Sequence, residues 1–193
     1  MTDPQFYLAS ASPRRKQLLE QLGLRFQVAV VDVDETLKAG EAARDYVLRV
    51  AGLKARAAAA LLGDPRLPVL AADTTVVLEG AILGKPKDRE DAIRMLAHLG
   101  GRRHQVLSAV ALWDRGRLDT TFSESQVVFR AIGPEEAGAY WDSGEPRDKA
   151  GGYGIQGLGA VFVQSLEGSY SGVMGLPLFE TAALLHKAGV QVL

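Results

Sequence analysis

The sequence has no cysteine and only three histidines among its 193 residues. Without cysteine there is no disulfide, no thiolate nucleophile and no metal site built on sulfur. The histidines stand at positions 98, 104 and 186, a spacing too wide to suggest a zinc cluster. These absences exclude three common kinds of structural or catalytic site.

Long apolar runs and an excess of basic charge are also missing. No stretch approaches the roughly 20 apolar residues that a membrane-spanning helix needs, and the N-terminal residues carry Asp3 in place of a signal peptide's apolar run. The net charge of −1 lacks the basic excess typical of proteins that bind nucleic acid polymers. We therefore expect a soluble cytoplasmic protein that binds neither a membrane nor a nucleic acid polymer.

Apolar periodicity predicts strands and helices that alternate at the start of the chain, with long hairpins in the middle. Strands are predicted at FYLAS, PVLAADTTVVL and AVFVQSL, on both sides of Arg115-Gly116, and at RFQVAVVDVDET, where the strand runs into an acidic turn. Helices are predicted after Ser12-Pro13, over 41–62, at DREDAIRMLAHL, after Gly133-Pro134 and at LPLFETAALLHK. This pattern indicates a mixed α/β or α+β fold. Because no repeat or flexible linker interrupts it, we predict a single domain over 1–193.

The first candidate site is the segment SASPRR, where a strand gives way to a helix. The exposed N–H groups and the dipole of a helix N-terminus attract anions, so Arg14 and Arg15 oppose the dipole unless an anion is bound there. A phosphate chain would find donors in the hydroxyl of Ser10 and in both guanidinium groups. Two arginines that point into solvent explain the same pattern, and the spacing alone leaves both interpretations open.

Two acidic residues form the second candidate site. Asp73 stands within an apolar strand, where a carboxylate is costly unless it is paired or bound to a metal. A turn or capping role at a strand end is the usual alternative, but the strand continues past Asp73. Glu35 is the natural partner carboxylate, and the pair suits Mg²⁺, which binds one or two carboxylates together with substrate phosphates. Asp32 and Asp34 are predicted to be exposed turn residues.

Lysines supply further positive charge. Lys54 lies on the apolar stripe of the long helix, although a snorkelling lysine is the commoner explanation of such a position. Lys85 follows a turn, and a solvated loop lysine explains it equally well. Taken together, Arg14, Lys54 and Lys85 accompany two carboxylates, which is the set required for a Mg²⁺-dependent reaction on a polyphosphate.

The last candidate is the glycine-rich segment DKAGGYGIQG at 148–157. Its glycines permit close approach of a ligand, Tyr153 can pack against a planar ring, and the amide of Gln156 can contact a base edge as donor and acceptor. A purely structural glycine-rich turn is the alternative. No Walker A motif is present in the sequence.

The segments LASASPRR, DVDET, ADTTV, GKP, DKAGGYGIQG and GLPLFET, in this order, resemble the Maf family of nucleoside triphosphate pyrophosphatases. The resemblance extends from Leu8 to about Leu185. It implies a Maf/inosine-triphosphatase-like fold, with a central mixed twisted sheet flanked by helices and two lobes with a cleft between them. It also implies that a divalent cation, Mg²⁺ or Mn²⁺, assists hydrolysis of a nucleoside triphosphate to the monophosphate and pyrophosphate. A homodimer is compatible with the family, but no sequence feature decides it.

The resemblance also implies a role for each matching residue. Asp73 would accept a proton from the attacking water and, with Glu35, bind the metal. Phosphates would be bound by Ser10, Arg14, Arg15, Lys54 and Lys85.

Three positions bear on the substrate. The branch of the family that acts on dTTP and UTP carries SPRR, ADT and YGIQG, so Arg14, Thr74 and Gln156 point to pyrimidine triphosphates and to housekeeping of the nucleotide pool. The branch that acts on 7-methyl-GTP carries a tryptophan after Ser-Pro, a glutamine after the aspartate and a glutamate-containing loop. Three alternatives stay open at this stage: that second activity, a broader metal-dependent phosphatase, and a non-catalytic nucleotide-binding regulator of septum formation in cell division.

Overall fold

The computed structural model describes residues 3–192, and the chain divides into two compact units. The first unit contains the chain up to Asp73, the segment Ser108–Ser123 and the chain from Gly175 onward. The second unit contains Thr74–Leu107 and Glu124–Met174. The single domain over 1–193 and the cleft stay predictions.

Within the described residues, seven strands form one sheet in the order β2-β1-β3-β5-β6-β7, with β4 paired to β3 beside this path. Strand β1 pairs in parallel with β2 and β3, whereas the pairs β3–β4 and β6–β7 are antiparallel. The predicted mixed sheet is therefore confirmed. The strands are β1 Phe6–Leu8, β2 Phe26–Val28, β3 Val69–Leu78, β4 Ala81–Leu83, β5 Arg103–Asp114, β6 Arg117–Phe129 and β7 Val163–Glu167.

Six α-helices accompany the strands in the described part of the chain, and the five predicted helices are among them. The side chain of Asp88 caps the third helix by accepting a hydrogen bond from the Asp91 N–H, as the acidic start of that segment predicts. The helices are α1 Pro13–Gln21, α2 Ala43–Leu61, α3 Arg89–Leu99, α4 Pro134–Asp142, α5 Tyr170–Met174 and α6 Leu178–Lys187. Short 3₁₀ segments cover Glu145–Asp148, Ala150–Gly152 and Leu158–Phe162.

The second strand is much shorter than its sequence predicts. RFQVAVVDVDET is predicted to be a strand that runs into an acidic turn, but β2 covers only Phe26–Val28. Its partner β1 ends at Leu8, which is in register with Val28, so no further edge is available to pair with. Residues 29–36 therefore continue as irregular backbone, and the acidic segment lies in a loop.

The last third of the chain departs from prediction in two places. The expected strand AVFVQSL begins as a 3₁₀ segment and becomes extended only at Val163. The short helix α5 was not predicted, although Ser169 precedes it and accepts a hydrogen bond from the Gly172 N–H on its hydroxyl. A serine before a short polar segment is a weak N-cap signal, because the same residue type is common in turns.

The core of the second unit contains a buried cluster of aromatic rings. Tyr153 packs edge-on against His104 and Phe129, and its hydroxyl lies 2.8 Å from His104 Nε2. Tyr153 is buried, so the suggestion that it packs against a ligand's ring is wrong; it packs against rings of the protein. Among the described residues, no helix is long and apolar enough to cross a membrane.

Burial of His104 makes the stability of the fold depend on pH. Burial lowers the pKa of His104 from 6.5 to about 4 because the protein interior disfavours the imidazolium. Between these values the unfolded chain binds the extra proton and the folded chain does not. The free energy of unfolding should be highest above pH 6.5 and fall by at most about 3 kcal/mol as the pH decreases to 4.

Urea unfolding of the wild type and of His104→Asn at several pH values checks this expectation. The variant should lose much of the pH dependence between pH 6.5 and 4, whereas His98→Asn, at an exposed position, should keep it. Equal pH dependence in the wild type and His104→Asn would contradict the assignment.

Candidate functional site

One lysine joins the two acidic residues that the sequence singled out. Lys54 Nζ lies 2.8 Å from Asp73 Oδ1 and 2.8 Å from Glu35 Oε1. The side chain of Asp73 is 8% exposed and that of Lys54 14%, whereas Glu35 is 47% exposed. The arrangement is a nearly buried ion pair with a second carboxylate at its solvent side.

Three different elements of the first unit bring these groups together. Asp73 lies on β3, Lys54 on α2, and Glu35 in the irregular segment that follows β2. Helix α2 buries its predicted stripe, which consists of Val47, Val50, Ala51, Ala55 and Ala58. Lys54 is carried at the margin of that stripe, four residues after a buried valine, so its stem packs while its ammonium reaches the carboxylates.

The environment of Asp73 is that of a carboxylate prepared to take up a proton. Burial raises the pKa of Asp73 above its usual value, and the positive charges of Lys54 and Arg15 oppose this effect only in part. A raised pKa makes a carboxylate a stronger base than a solvated one, which is the property that a general base needs. Asp73 thus combines a fixed position with increased basicity.

The SASPRR segment forms the turn into α1 that the sequence predicts, with Ser12 at the N-cap and Pro13 as the first helical residue. The hydroxyl of Ser12 makes no capping bond; instead the Ser12 N–H donates to Ser10 Oγ at 3.2 Å. The same oxygen accepts from Arg15 Nη1 at 3.2 Å. Ser10 is buried and thereby joins the start of the helix to an arginine.

The two arginines differ in their surroundings. Arg15 Nε also donates to the Gly175 carbonyl at 2.8 Å, so its guanidinium is held on two sides. Burial lowers the pKa of Arg15, the charge of Asp73 opposes this, and the charge of Arg14 adds to it. Both arginines are half-buried. The charge of Arg15 is therefore held within the protein, where it interacts with Asp73, so Arg15 does not point freely into solvent.

Sequence reasoning missed the contacts that hold the loop of Glu35. Arg49 on α2 binds the carboxylate of Glu41 with Nε and Nη2 and donates from Nη2 to the Thr36 carbonyl at 3.0 Å. Glu41 in turn accepts from the Lys38 N–H at 3.1 Å. The Arg49–Glu41 pair thus fastens the backbone immediately after Glu35, in a segment without regular structure. The sequence gives no spacing rule for such a pair, because one partner lies outside the helix.

The other candidate residues belong to the second unit. Thr74 follows Asp73 directly on β3 and is half-buried, and its side chain points to the opposite face of the strand. Lys85 and Gln156 are both exposed.

Asp32 and Asp34, in the first unit, are exposed as expected, and Asp34 Oδ1 accepts a hydrogen bond from the Thr36 N–H at 2.9 Å, which is a turn contact.

The donor set at Glu35 and Asp73 can be tested for its fit to a divalent cation. No group of three or more histidine and acidic side chains with metal-site geometry occurs within residues 3–192, so a closed, all-protein cage is absent there. Two carboxylates with one of them exposed fit Mg²⁺ or Mn²⁺, since such ions take their remaining ligands from water and from substrate phosphates. Lys54 contacts both carboxylates and keeps them close together.

Comparison with known proteins shows which family the chain belongs to. The family model described as Maf-like protein matches residues 5–188. A dTTP/UTP pyrophosphatase of Bordetella pertussis is 55% identical over 98% of this chain and 95% of its own length. The dTTP/UTP pyrophosphatase of Methylobacillus flagellatus is 50% identical over 96% of this chain and 94% of its own length. That of Pasteurella multocida is also 50% identical, over the full length of both chains.

The chain therefore belongs to the Maf family, which confirms the expected family. Among solved structures, the Staphylococcus aureus Ham1 protein aligns over 80% of this chain and 77% of its own, with 21% identity and a TM-score of 0.45. A likeness this weak decides nothing about function.

We expect Arg49 to control the order of the loop that carries Glu35. In Arg49→Gln the paired bonds to Glu41 and the bond to the Thr36 carbonyl are lost, so the backbone after Glu35 loses the contacts that hold it. Hydrogen exchange of the Lys38 amide should accelerate by at least about tenfold. Arg56→Gln, at an exposed position of the same helix, is the matched control and should leave that amide unchanged. Equal exchange in Arg49→Gln and the wild type would contradict the role of the pair.

Proposed function

We propose that the protein hydrolyses dTTP and UTP to the monophosphate and pyrophosphate. The observation that carries the proposal is the buried carboxylate of Asp73, held by Lys54 beside Glu35. It is supported by the identity of 50–55% with dTTP/UTP pyrophosphatases over nearly the whole chain. Nucleotide-pool housekeeping, a cytoplasmic location and a homodimer accompany this proposal as expectations from the sequence.

In the proposed reaction the oxygen of a water molecule attacks the α-phosphorus. Asp73 accepts the proton of that water, the bond from the α-phosphorus to the bridging oxygen breaks, and pyrophosphate leaves with the bond's electrons. Arg14, Arg15, Lys54 and Lys85 neutralise phosphate charge. Ser10, whose oxygen accepts from Arg15, donates its hydroxyl to a phosphate oxygen. A divalent cation held by Glu35 and Asp73 would supply further charge neutralisation at the phosphates.

Recognition of the nucleobase is assigned to three residues whose identities differ between branches of the family. Gln156 is exposed on the glycine-rich segment, where its amide can meet the O4 and N3–H groups of uracil or thymine. Arg14 and Thr74 are the other two positions whose identity matches the dTTP/UTP branch. A hydrogen bond to O4 and N3–H does not involve the 5-methyl group, which is the only difference between thymine and uracil. The same contact therefore accepts both dTTP and UTP.

We expect Asp73→Asn to lower kcat for pyrophosphate release from UTP by about 10²–10⁴-fold, because the amide cannot accept the proton of the attacking water. Asp32→Asn, an exposed aspartate of the acidic loop, is the control and should keep wild-type activity. Product analysis by ion-exchange chromatography should find monophosphate and pyrophosphate in equal amounts.

Other outcomes of this experiment would identify the alternatives. A fully active Asp73→Asn variant would refute the mechanism, and stepwise release of orthophosphate would indicate a broader phosphatase. A wild-type protein that binds UTP and never turns it over would indicate a regulator. Faster turnover of 7-methyl-GTP than of UTP or dTTP would indicate the other branch.

Removal of divalent cations should abolish the activity, and Mg²⁺ or Mn²⁺ should restore it. Glu35→Gln should raise the Mg²⁺ concentration for half-maximal activity by at least about tenfold, since one of two anionic oxygen donors is lost. Glu20→Gln, an exposed position on α1, serves as the control. Activity that survives exhaustive chelation would overturn the assignment of these two residues.

A further inference from the structure

A single carboxylate outside the candidate site binds the backbone just after the glycine-rich segment at two points. Glu145 Oε1 accepts hydrogen bonds from the Tyr140 hydroxyl at 2.7 Å and from the Gly159 N–H at 3.1 Å. Its other oxygen accepts from the Leu158 N–H at 2.8 Å. Both oxygens of one side chain are thus engaged, and two of the three donors are backbone groups of residues just after Gln156.

The Tyr140 hydroxyl extends this arrangement to the residues before Gln156. It accepts a hydrogen bond from the Gly154 N–H at 3.0 Å while it donates to Glu145. The ring of Tyr140 is fixed by edge-on packing against Phe162, with ring centroids 5.0 Å apart. Tyr140 and Glu145 together therefore bind the backbone on both sides of an exposed glutamine.

Gly157 and Gly159 let the backbone lie directly on the side chains of Glu145 and Tyr140. A Cβ atom on Gly157 would overlap the carboxylate of Glu145. A Cβ atom on Gly159 would come within 2.6 Å of the Tyr140 hydroxyl oxygen and 2.8 Å of the Gly154 carbonyl oxygen. These glycines thus serve contact with the protein itself.

The charge of Glu145 suits it to this task. Burial tends to raise the pKa of Glu145, but the bonds donated by Tyr140, Gly159 and Leu158 outweigh burial and hold the pKa below its usual value. The side chain is therefore an anionic acceptor at neutral pH. Hydrogen bonds to an ionised acceptor are about twice as strong as those between neutral groups.

We propose that Glu145, acting with Tyr140, is a positioning residue that fixes the backbone around Gln156 and thereby determines how strictly the protein discriminates between bases. This inference rests on the proposed function. A glutamine amide carries both a donor and an acceptor, and a 180° flip of the amide exchanges their positions. It therefore distinguishes uracil from cytosine, whose ring edges present opposite donor and acceptor patterns, only where its position is held.

The test compares kcat/KM for UTP with kcat/KM for CTP in the wild type and in Glu145→Gln. The substituted side chain keeps its volume but turns an amide NH₂ toward groups that are themselves donors. The UTP/CTP ratio should fall by about tenfold, with a smaller change in kcat for UTP, because the chemical step does not involve this side chain. Glu135→Gln, an exposed glutamate of α4, should leave the ratio unchanged.

A double-mutant cycle separates positioning from general destabilisation. In a Gln156→Ala background, Glu145→Gln should no longer change the UTP/CTP ratio, since the group that it positions is absent. Tyr140→Phe removes one hydroxyl and keeps the ring packing, so it should lower the ratio in the same way. This variant carries the test if Glu145→Gln fails to fold.

The outcomes distinguish the inference from the function on which it rests. An unchanged ratio in folded Glu145→Gln or Tyr140→Phe overturns the inference alone, as does a shift that persists without Gln156. A wild-type protein that releases no pyrophosphate from either nucleotide overturns the proposed function, and the inference with it.

Discussion

The contact between the Lys54 ammonium and two carboxylates is the constraint on which the first unit depends. Asp73 stands within a buried stretch of strand, where an ionised group without a partner would cost several kcal/mol. Lys54 removes much of that cost, but only if α2 is positioned along β3 so that the ammonium lies beside Asp73. The desolvation of both charges offsets much of the attraction in a nearly buried ion pair, so its net contribution to stability is small. Packing of the helix and position of the carboxylate are therefore set together.

The two neighbouring arginines of the first helix, Arg14 and Arg15, differ in their electrostatic surroundings. Arg15 is committed to the Gly175 carbonyl and to Ser10, so its charge is fixed in place as part of the framework around Asp73. Arg14, its neighbour in the first turn, adds positive charge that raises the electrostatic cost of Arg15. The attraction of Asp73 is larger than that repulsion, so this carboxylate is the main charge partner of Arg15.

The sequence predicts the regular elements well where apolar periodicity is strong and poorly where pairing decides. Helix α2 and strand β3 follow from their own residues, whereas β2 ends early because its partner does. Asp73 could be singled out because a charge within an apolar strand is anomalous. The role of Arg49 could not be predicted, because its contacts join a helix to an irregular loop and follow no sequence periodicity. Tyr153 has the residue type of a ligand contact, and only three-dimensional packing shows it in the core.

The glycine at position 157 has a consequence for how this chain can vary. Because a side chain there would occupy the space of the Glu145 carboxylate, neither position is free to change alone. A residue larger than glycine at 157 requires a shorter one at 145, and that exchange also removes the acceptor for Leu158 and Gly159. The two positions, twelve apart in sequence, should therefore covary as a pair, so that part of the glycine-rich pattern records the shape of a neighbouring side chain rather than the outline of a ligand.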